Sequence, residues 1–168
     1  MIHVCSLATL VLETERVRPA HVISLVDPDF EFSAPPGVDP ARHLTLRFHD
    51  IALPLPGYVA PRAEDIERLL AFGAACDGDT PTLIHCHAGI SRSPAAAFII
   101  MCQHNVGREE DAAQLLRRHG RHVRPNRRMV ELADGLLGRG GRLSQALRAM
   151  PPPAPTLYPQ PIALPAKL

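Results

Sequence analysis

The chain has 168 residues, 46% of them apolar, with 18 basic and 17 acidic groups and a formal net charge of +1. That is the size and composition of one domain with a real core, which excludes a disulfide-stapled miniprotein and a mostly disordered polymer. Charge alone argues for neither a nucleic-acid nor a membrane partner.

The start, Met1 to Leu12, is apolar but lacks a basic leader and a small-residue cleavage site, so no signal peptide is read there. Residues 2–7 and 21–26 are rich in β-branched side chains and predict two strands, the second closed by Asp27-Pro28. Residues 33–40 carry Pro35-Pro36-Gly37 and read as a loop. Alternation over 43–48 predicts a third strand, and Pro54, Pro56, Gly57 and Pro61 keep 50–61 irregular.

Pro61 opens a helix with Glu64 and Asp65 in its first turn and Ile66, Leu69, Leu70 and Gly73 on one face, broken by Asp77-Gly78-Asp79. Residues 81–85 are a short apolar strand of the kind buried inside a sheet. Everything after Cys86 reads as helical. Ser93 is expected to cap a helix with Pro94 at its first position. Residues 108–118 run from acidic to basic, in step with a helix dipole, and Asn126 caps a further helix that Gly138 stops. Leu143, Ala146 and Leu147 mark one more short helix. Strand, loop and helix order predicts an α/β domain over 1–150, a central, mostly parallel sheet flanked by helices. Residues 151–168 hold seven of the eighteen prolines and are expected to form an extended tail outside the fold.

The charge is unevenly spread. Residues 1–85 hold six Arg against twelve Asp and Glu, and residues 86–150 eleven Arg against five. The basic half begins at Cys86. Cys5, Cys76, Cys86 and Cys102 form no CxxC pair and show no zinc-ligand spacing, so no metal or cofactor is expected. With no run of about 18 apolar residues to span a bilayer, a cytoplasmic monomer with free thiols is the expectation.

The informative segment runs from Ile84 to Pro94 and reads Ile-His-Cys-His-Ala-Gly-Ile-Ser-Arg-Ser-Pro. It places Cys86 at the carboxyl end of a buried strand, where open α/β sheets bind ligands. A five-residue loop, Arg92 and a helix start follow. Such a loop aims backbone N–H groups and the helix dipole at one point and favours an anion there. Gly89 permits a conformation that residues with a Cβ resist. Arg92 offers a bidentate fork to two phosphoryl oxygens. The same positive field favours the thiolate of Cys86, the nucleophilic form of cysteine. Ser93 is placed to hydrogen-bond that sulfur.

A bare Cys-x5-Arg is weak in a chain this rich in arginine, but the longer string is specific. It resembles the signature His-Cys-x5-Arg-Ser/Thr of the cysteine-dependent protein tyrosine phosphatase superfamily, most closely its compact dual-specificity branch and a bacterial phosphatase-like group within it. The resemblance covers roughly residues 2–149 and is sharp at 85–93. It implies that Cys86 attacks phosphorus to give a phosphocysteine, and that Arg92 and the amides of His87, Ala88, Gly89, Ile90 and Ser91 hold the phosphoryl oxygens. It also implies an upstream loop aspartate that protonates the leaving oxygen. Asp50, 36 residues before Cys86 and at the start of the irregular segment, fits that place. Arg124-Pro125-Asn126 resembles the segment that opens a late helix in dual-specificity members. No Trp-Pro-Asp loop is present, since the chain has no Trp, which implies a shallower pocket. Lysine is absent from the loop, which weakens a phosphoinositide reading.

Plainer readings stand beside these. Cys86 could be a core cysteine and Asp50 a turn residue, and Asp65 and Glu64 are first-turn helix charges. His85 is expected to support the loop, and His49 has no assigned role. The arginines between 117 and 124 lack interleaved aromatics and read as a solvated helix end rather than an RNA site. Cys5 is weighed as a redox partner of Cys86 against a packing role. The expected substrates are phosphorylated protein side chains or small phosphoesters, RNA 5′-triphosphate being a further possibility for the same loop. The alternatives are a rhodanese-like sulfurtransferase and a non-catalytic module that captures phosphorylated proteins.

Overall fold

β-branched and apolar runs separated by Asp, Pro and Gly give short strands, and their burial decides where each sits. The computed structural model describes residues 1–76 and 78–168, so Asp77 in the expected Asp77-Gly78-Asp79 break lies outside the described residues. Five strands, β1 (Ile2–Ser6), β2 (His21–Val26), β3 (His43–Arg47), β4 (Thr82–Cys86) and β5 (Ile162–Leu164), form one sheet in the order β3-β2-β4-β1-β5. The first four are mutually parallel. β4, buried at every residue, lies between β2 and β1, as its unbroken apolar run requires.

The helices are α1 (Leu10–Val17), α2 (Ala63–Gly73), α3 (Arg92–His104), α4 (Glu109–His119), α5 (Arg127–Leu136) and α6 (Arg142–Ala149). Through α3, residues 92–102 are all buried, because this helix packs between the sheet and α2, α4 and α5. A helix apolar on every side is expected to be buried on every side.

Two features depart from the sequence reading. α1 fills the stretch between the first two strands, to which the sequence reading assigned no element. Its only long-range signal is an apolar Leu10, and its one charged buried group, Glu13, is neutralised by Arg16 at 2.6 Å. The residues expected as a tail outside the fold instead close the sheet. β5 pairs antiparallel with β1, Ala154 N–H donates to Arg121 O at 2.7 Å, and Asn105 bridges Ala166 O and Leu168 N at 2.6 and 2.8 Å. Ile162, Leu164 and Ala166 are buried, so the tail covers the β1 edge that would otherwise expose unpaired backbone. Residues 151–161 lack helix and strand, and the three residues of β5 with alternating burial were too short a signal to read in the expected 151–168 tail.

Candidate active site

The carboxyl ends of β1, β2 and β4 converge on one rim of the sheet, and the loop 87–91 crosses it. That loop is fixed from outside by its carbonyls. Leu7 N–H, after β1, donates to His87 O at 3.1 Å. On the other side Arg124 N–H donates to Ile90 O at 2.7 Å and Asn126 N–H to Ser91 O at 3.2 Å. Gly89 sits at φ +71°, and a Cβ there would lie 3.0 Å from the backbone of Cys5 and Ser6. Backbone cannot step aside as a side chain can, so this position demands glycine both for its torsion and for its closeness to β1.

Cys86 ends β4 and is almost wholly buried. Its Sγ receives the Gly89 N–H at 3.3 Å and lies 3.1 Å from Ser93 Oγ. The expected cap role of Ser93 is corrected here. α3 begins at Arg92, Ser91 stands at its cap without a side-chain cap bond, and Ser93 lies inside the first turn. Its hydroxyl therefore serves the sulfur rather than the helix end.

Arg92 is 4% exposed and held on one side only. Its Nη1 donates to Asp27 Oδ1 at 2.6 Å and to Phe48 O at 2.8 Å. Its buried Nε meets no hydrogen-bond acceptor among the described residues. A buried donor without a protein acceptor is available to an oxyanion; Arg117 Nε and Arg139 Nε share that state, so it is the place of Arg92 directly after the loop that singles it out. Asp27, just after β2, is a contact of Arg92 that the sequence reading used only as a strand terminator. The adjacency of β2 and β4 brings it to Arg92, and no local pattern reveals that pairing. His87 Nε2 lies 3.8 Å from the other oxygen of Asp27, with its ring edge-on to Phe30 at 4.7 Å between centroids.

Asp50 follows β3 and reaches the loop from the opposite side. Its Oδ1 accepts from Ser91 Oγ at 2.7 Å and from Asn126 Nδ2 at 2.8 Å. Asn126 is a double agent, since its Oδ1 also caps α5 by accepting from Met129 N–H at 3.2 Å. The Arg-Pro-Asn segment thus fixes both the loop and the aspartate. His49 gains a role as well. It exchanges backbone and ring bonds with Val59 (2.8 and 2.9 Å) and pins the base of the segment that carries Asp50. Leu53, Leu55 and Tyr58 on that segment are exposed.

Beneath the loop, a polar chain crosses three strands: His85 Nε2 to Ser24 Oγ at 2.7 Å, and Ser24 Oγ to His43 Nε2 at 2.8 Å. Burial first, then the neighbouring His43, pushes His85 down to about 3, and burial lowers His43 too. Both rings are neutral at physiological pH, and both would have to charge inside the sheet as acid is added. Unfolding restores the ordinary value near 6.5, so below it the unfolded chain binds protons the folded chain refuses, and stability falls with pH down to about 3. His85 alone accounts for about 2 kcal/mol between pH 6.5 and 5. Urea midpoints measured at pH 7.5 and pH 5 are expected to show that loss, and His43→Gln is expected to reduce it. Cys5 is a packing thiol, raised by burial to about 12.

No protein-family model and no curated protein matches the sequence, but solved structures match the fold. The Cydia pomonella PTP-2 phosphatase is 25% identical, with a TM-score of 0.61 over 80% of this chain and 84% of that one. Human DUSP28 gives a TM-score of 0.62 at 17% identity, covering 82% and 94%. DUSP15 gives 0.58 at 17% identity, covering 89% and 92%.

Proposed function

We propose, for a chain that belongs by fold and loop residues to the cysteine-dependent protein tyrosine phosphatase superfamily, that it hydrolyses phosphomonoesters through a phosphocysteine on Cys86, without a metal. The observation that carries this reading is Arg92, held through Nη1 while its buried Nε lacks an acceptor at the loop that also holds the Cys86 sulfur. The contact between Ser93 and Sγ favours phosphoryl transfer over sulfur transfer, where a hydroxyl on the leaving sulfur is not needed.

In the first step Cys86 Sγ attacks phosphorus, the bond from phosphorus to the leaving oxygen breaks, and Asp50 gives that oxygen its proton. Arg92 Nε and the loop amides take the charge that grows on the equatorial oxygens. In the second step water attacks phosphorus and returns a proton to Asp50. The S–P bond breaks, inorganic phosphate forms, and the Ser93 hydroxyl stabilises the departing thiolate. Asp27 is a positioning residue in this scheme. Its carboxylate is engaged with Arg92, whereas Asp50 stands exposed on the rim with only polar hydrogen bonds, which favours Asp50 over Asp27 as the proton carrier. His85 supports the strand end, and His87, Ala88 and Ile90 shape the loop around the phosphate. The substrates are phosphorylated protein side chains or small phosphoesters, met in the cytoplasm by a chain of the compact bacterial type.

Asp50→Ala tests this assignment. On a poor leaving group such as phenyl phosphate kcat/KM, which reports only the step in which the leaving oxygen departs, is expected to fall by about 10²–10⁴, and on a nitro-activated aryl phosphate by much less. Both rates are read in buffer containing a chelator. Equal losses on the two esters would make Asp50 a structural residue and not the acid.

A further inference from the structure

Beside the catalytic loop, Ile90, Ser91, Asp50 and Asn126 form one wall of a cleft of about 690 Å³. Arg124, Arg127 and Arg148 line it from the segment before α5, the first turn of α5 and the last turn of α6. All three are exposed. Among the described residues the arginines in ion pairs are Arg16, Arg92, Arg108, Arg139 and Arg142, and none of these lines the cleft. A fourth, Arg117, is spent on the carbonyls of Gly120, Arg121 and Val123. The one acidic lining residue is Asp50, whose Oδ1 already accepts two hydrogen bonds. The three uncompensated guanidiniums come from the basic half of the chain, residues 86–150, with eleven Arg against five acids, and the fold gathers them around one cleft. The facing wall is apolar, built from Leu147, Met150 and Pro151 to Pro153, and prolines offer no backbone N–H to compete for an acceptor.

We infer that this cleft is a subsite for acidic residues flanking the phosphorylated side chain, so that the preferred substrates are phosphoprotein segments rich in Asp or Glu on one side of the phosphate. The inference rests on the phosphatase reading above and adds the substrate class. A mixed wall favours a peptide over a compact polyanion: carboxylates meet the arginines while the backbone and apolar side chains lie along Leu147, Met150 and the prolines. Such rim charges act on capture and on salt dependence rather than on the bond-breaking step.

The test compares two phosphotyrosine peptides of equal length, one flanked by glutamates and the other by glutamines, with p-nitrophenyl phosphate as a substrate too small to reach the cleft. The wild type is expected to prefer the acidic peptide in kcat/KM by about tenfold, the effect of two or three exposed charge pairs. High salt is expected to shrink that preference. The double variant Arg127→Glu with Arg148→Glu is expected to lose it while hydrolysing p-nitrophenyl phosphate normally. No preference in the wild type, or an unchanged one in the variant, overturns the inference. So does a soluble short-chain phosphoinositide outrunning both peptides in a manner that depends on the same arginines. If p-nitrophenyl phosphate is not hydrolysed at all, it is the phosphatase reading that has failed. The cleft is then read separately by fluorescence anisotropy of the labelled acidic peptide: weaker binding to the double variant supports the subsite, and equal binding overturns it.

Discussion

Cys86→Ser is expected to abolish aryl phosphate hydrolysis, a loss of about 10⁵-fold or more, in chelator-containing buffer. Serine differs from cysteine by one atom, so the loop should keep its shape, with the new hydroxyl still near Gly89 N–H and Ser93 Oγ. What changes is the nucleophile. A serine hydroxyl is a far weaker acid and nucleophile than a thiol, and loop amides with one guanidinium do not ionise an alcohol. The variant should therefore still bind vanadate or phosphate, read as protection against thermal unfolding, while turning nothing over. Undiminished hydrolysis by the serine variant would remove Cys86 from the reaction. Loss of both turnover and ligand protection would point to a collapsed loop, and Gly89 with its close approach to Cys5 and Ser6 would then be the place to look.

Arg92→Lys is expected to lower kcat by about 10³-fold although the positive charge remains. The guanidinium is used on two sides at once. Nη1 is anchored on Asp27 Oδ1 and Phe48 O, while the buried Nε has no acceptor among the described residues. An ammonium can satisfy Asp27 or an incoming phosphoryl oxygen but not both with fixed geometry, since it is a point charge on a flexible stem. A milder loss is expected from Asp27→Asn, which keeps a hydrogen bond to Nη1 but removes the charge that holds it. KM should rise more than kcat falls. Equal activity of the lysine variant and the wild type would show that Arg92 acts as bulk charge only.

The strand-loop-helix string around Cys86 was legible because its constraints are local. Strand, cysteine, glycine, arginine and helix start follow one another within eleven residues, and each has a physical reason to be that residue. Asp50 was legible through its place between a strand and an irregular segment. Its partners were not, because Ser91 and Asn126 reach it across 41 and 76 residues. Asp27 was hidden for the same reason: strand order decides which carboxyl ends are neighbours, and β2 lies beside β4 although 55 residues separate His21–Val26 from Thr82–Cys86. The tail misled because its prolines dominate the composition, whereas β5 is three residues whose pairing with β1 is a tertiary fact. α1 was missed since eight residues with one buried apolar side chain carry little periodicity.

The most direct measurement mixes wild-type protein with an aryl phosphate, quenches in acid within the first turnovers, and locates phosphoryl groups on proteolytic peptides by mass spectrometry. A phosphoryl group on the sulfur of Cys86, absent from the Cys86→Ser variant and accumulating further in Asp50→Ala, is the expected result. Steady release of phosphate with Cys86 never modified, or with the group on Ser93 or His87 instead, would contradict it.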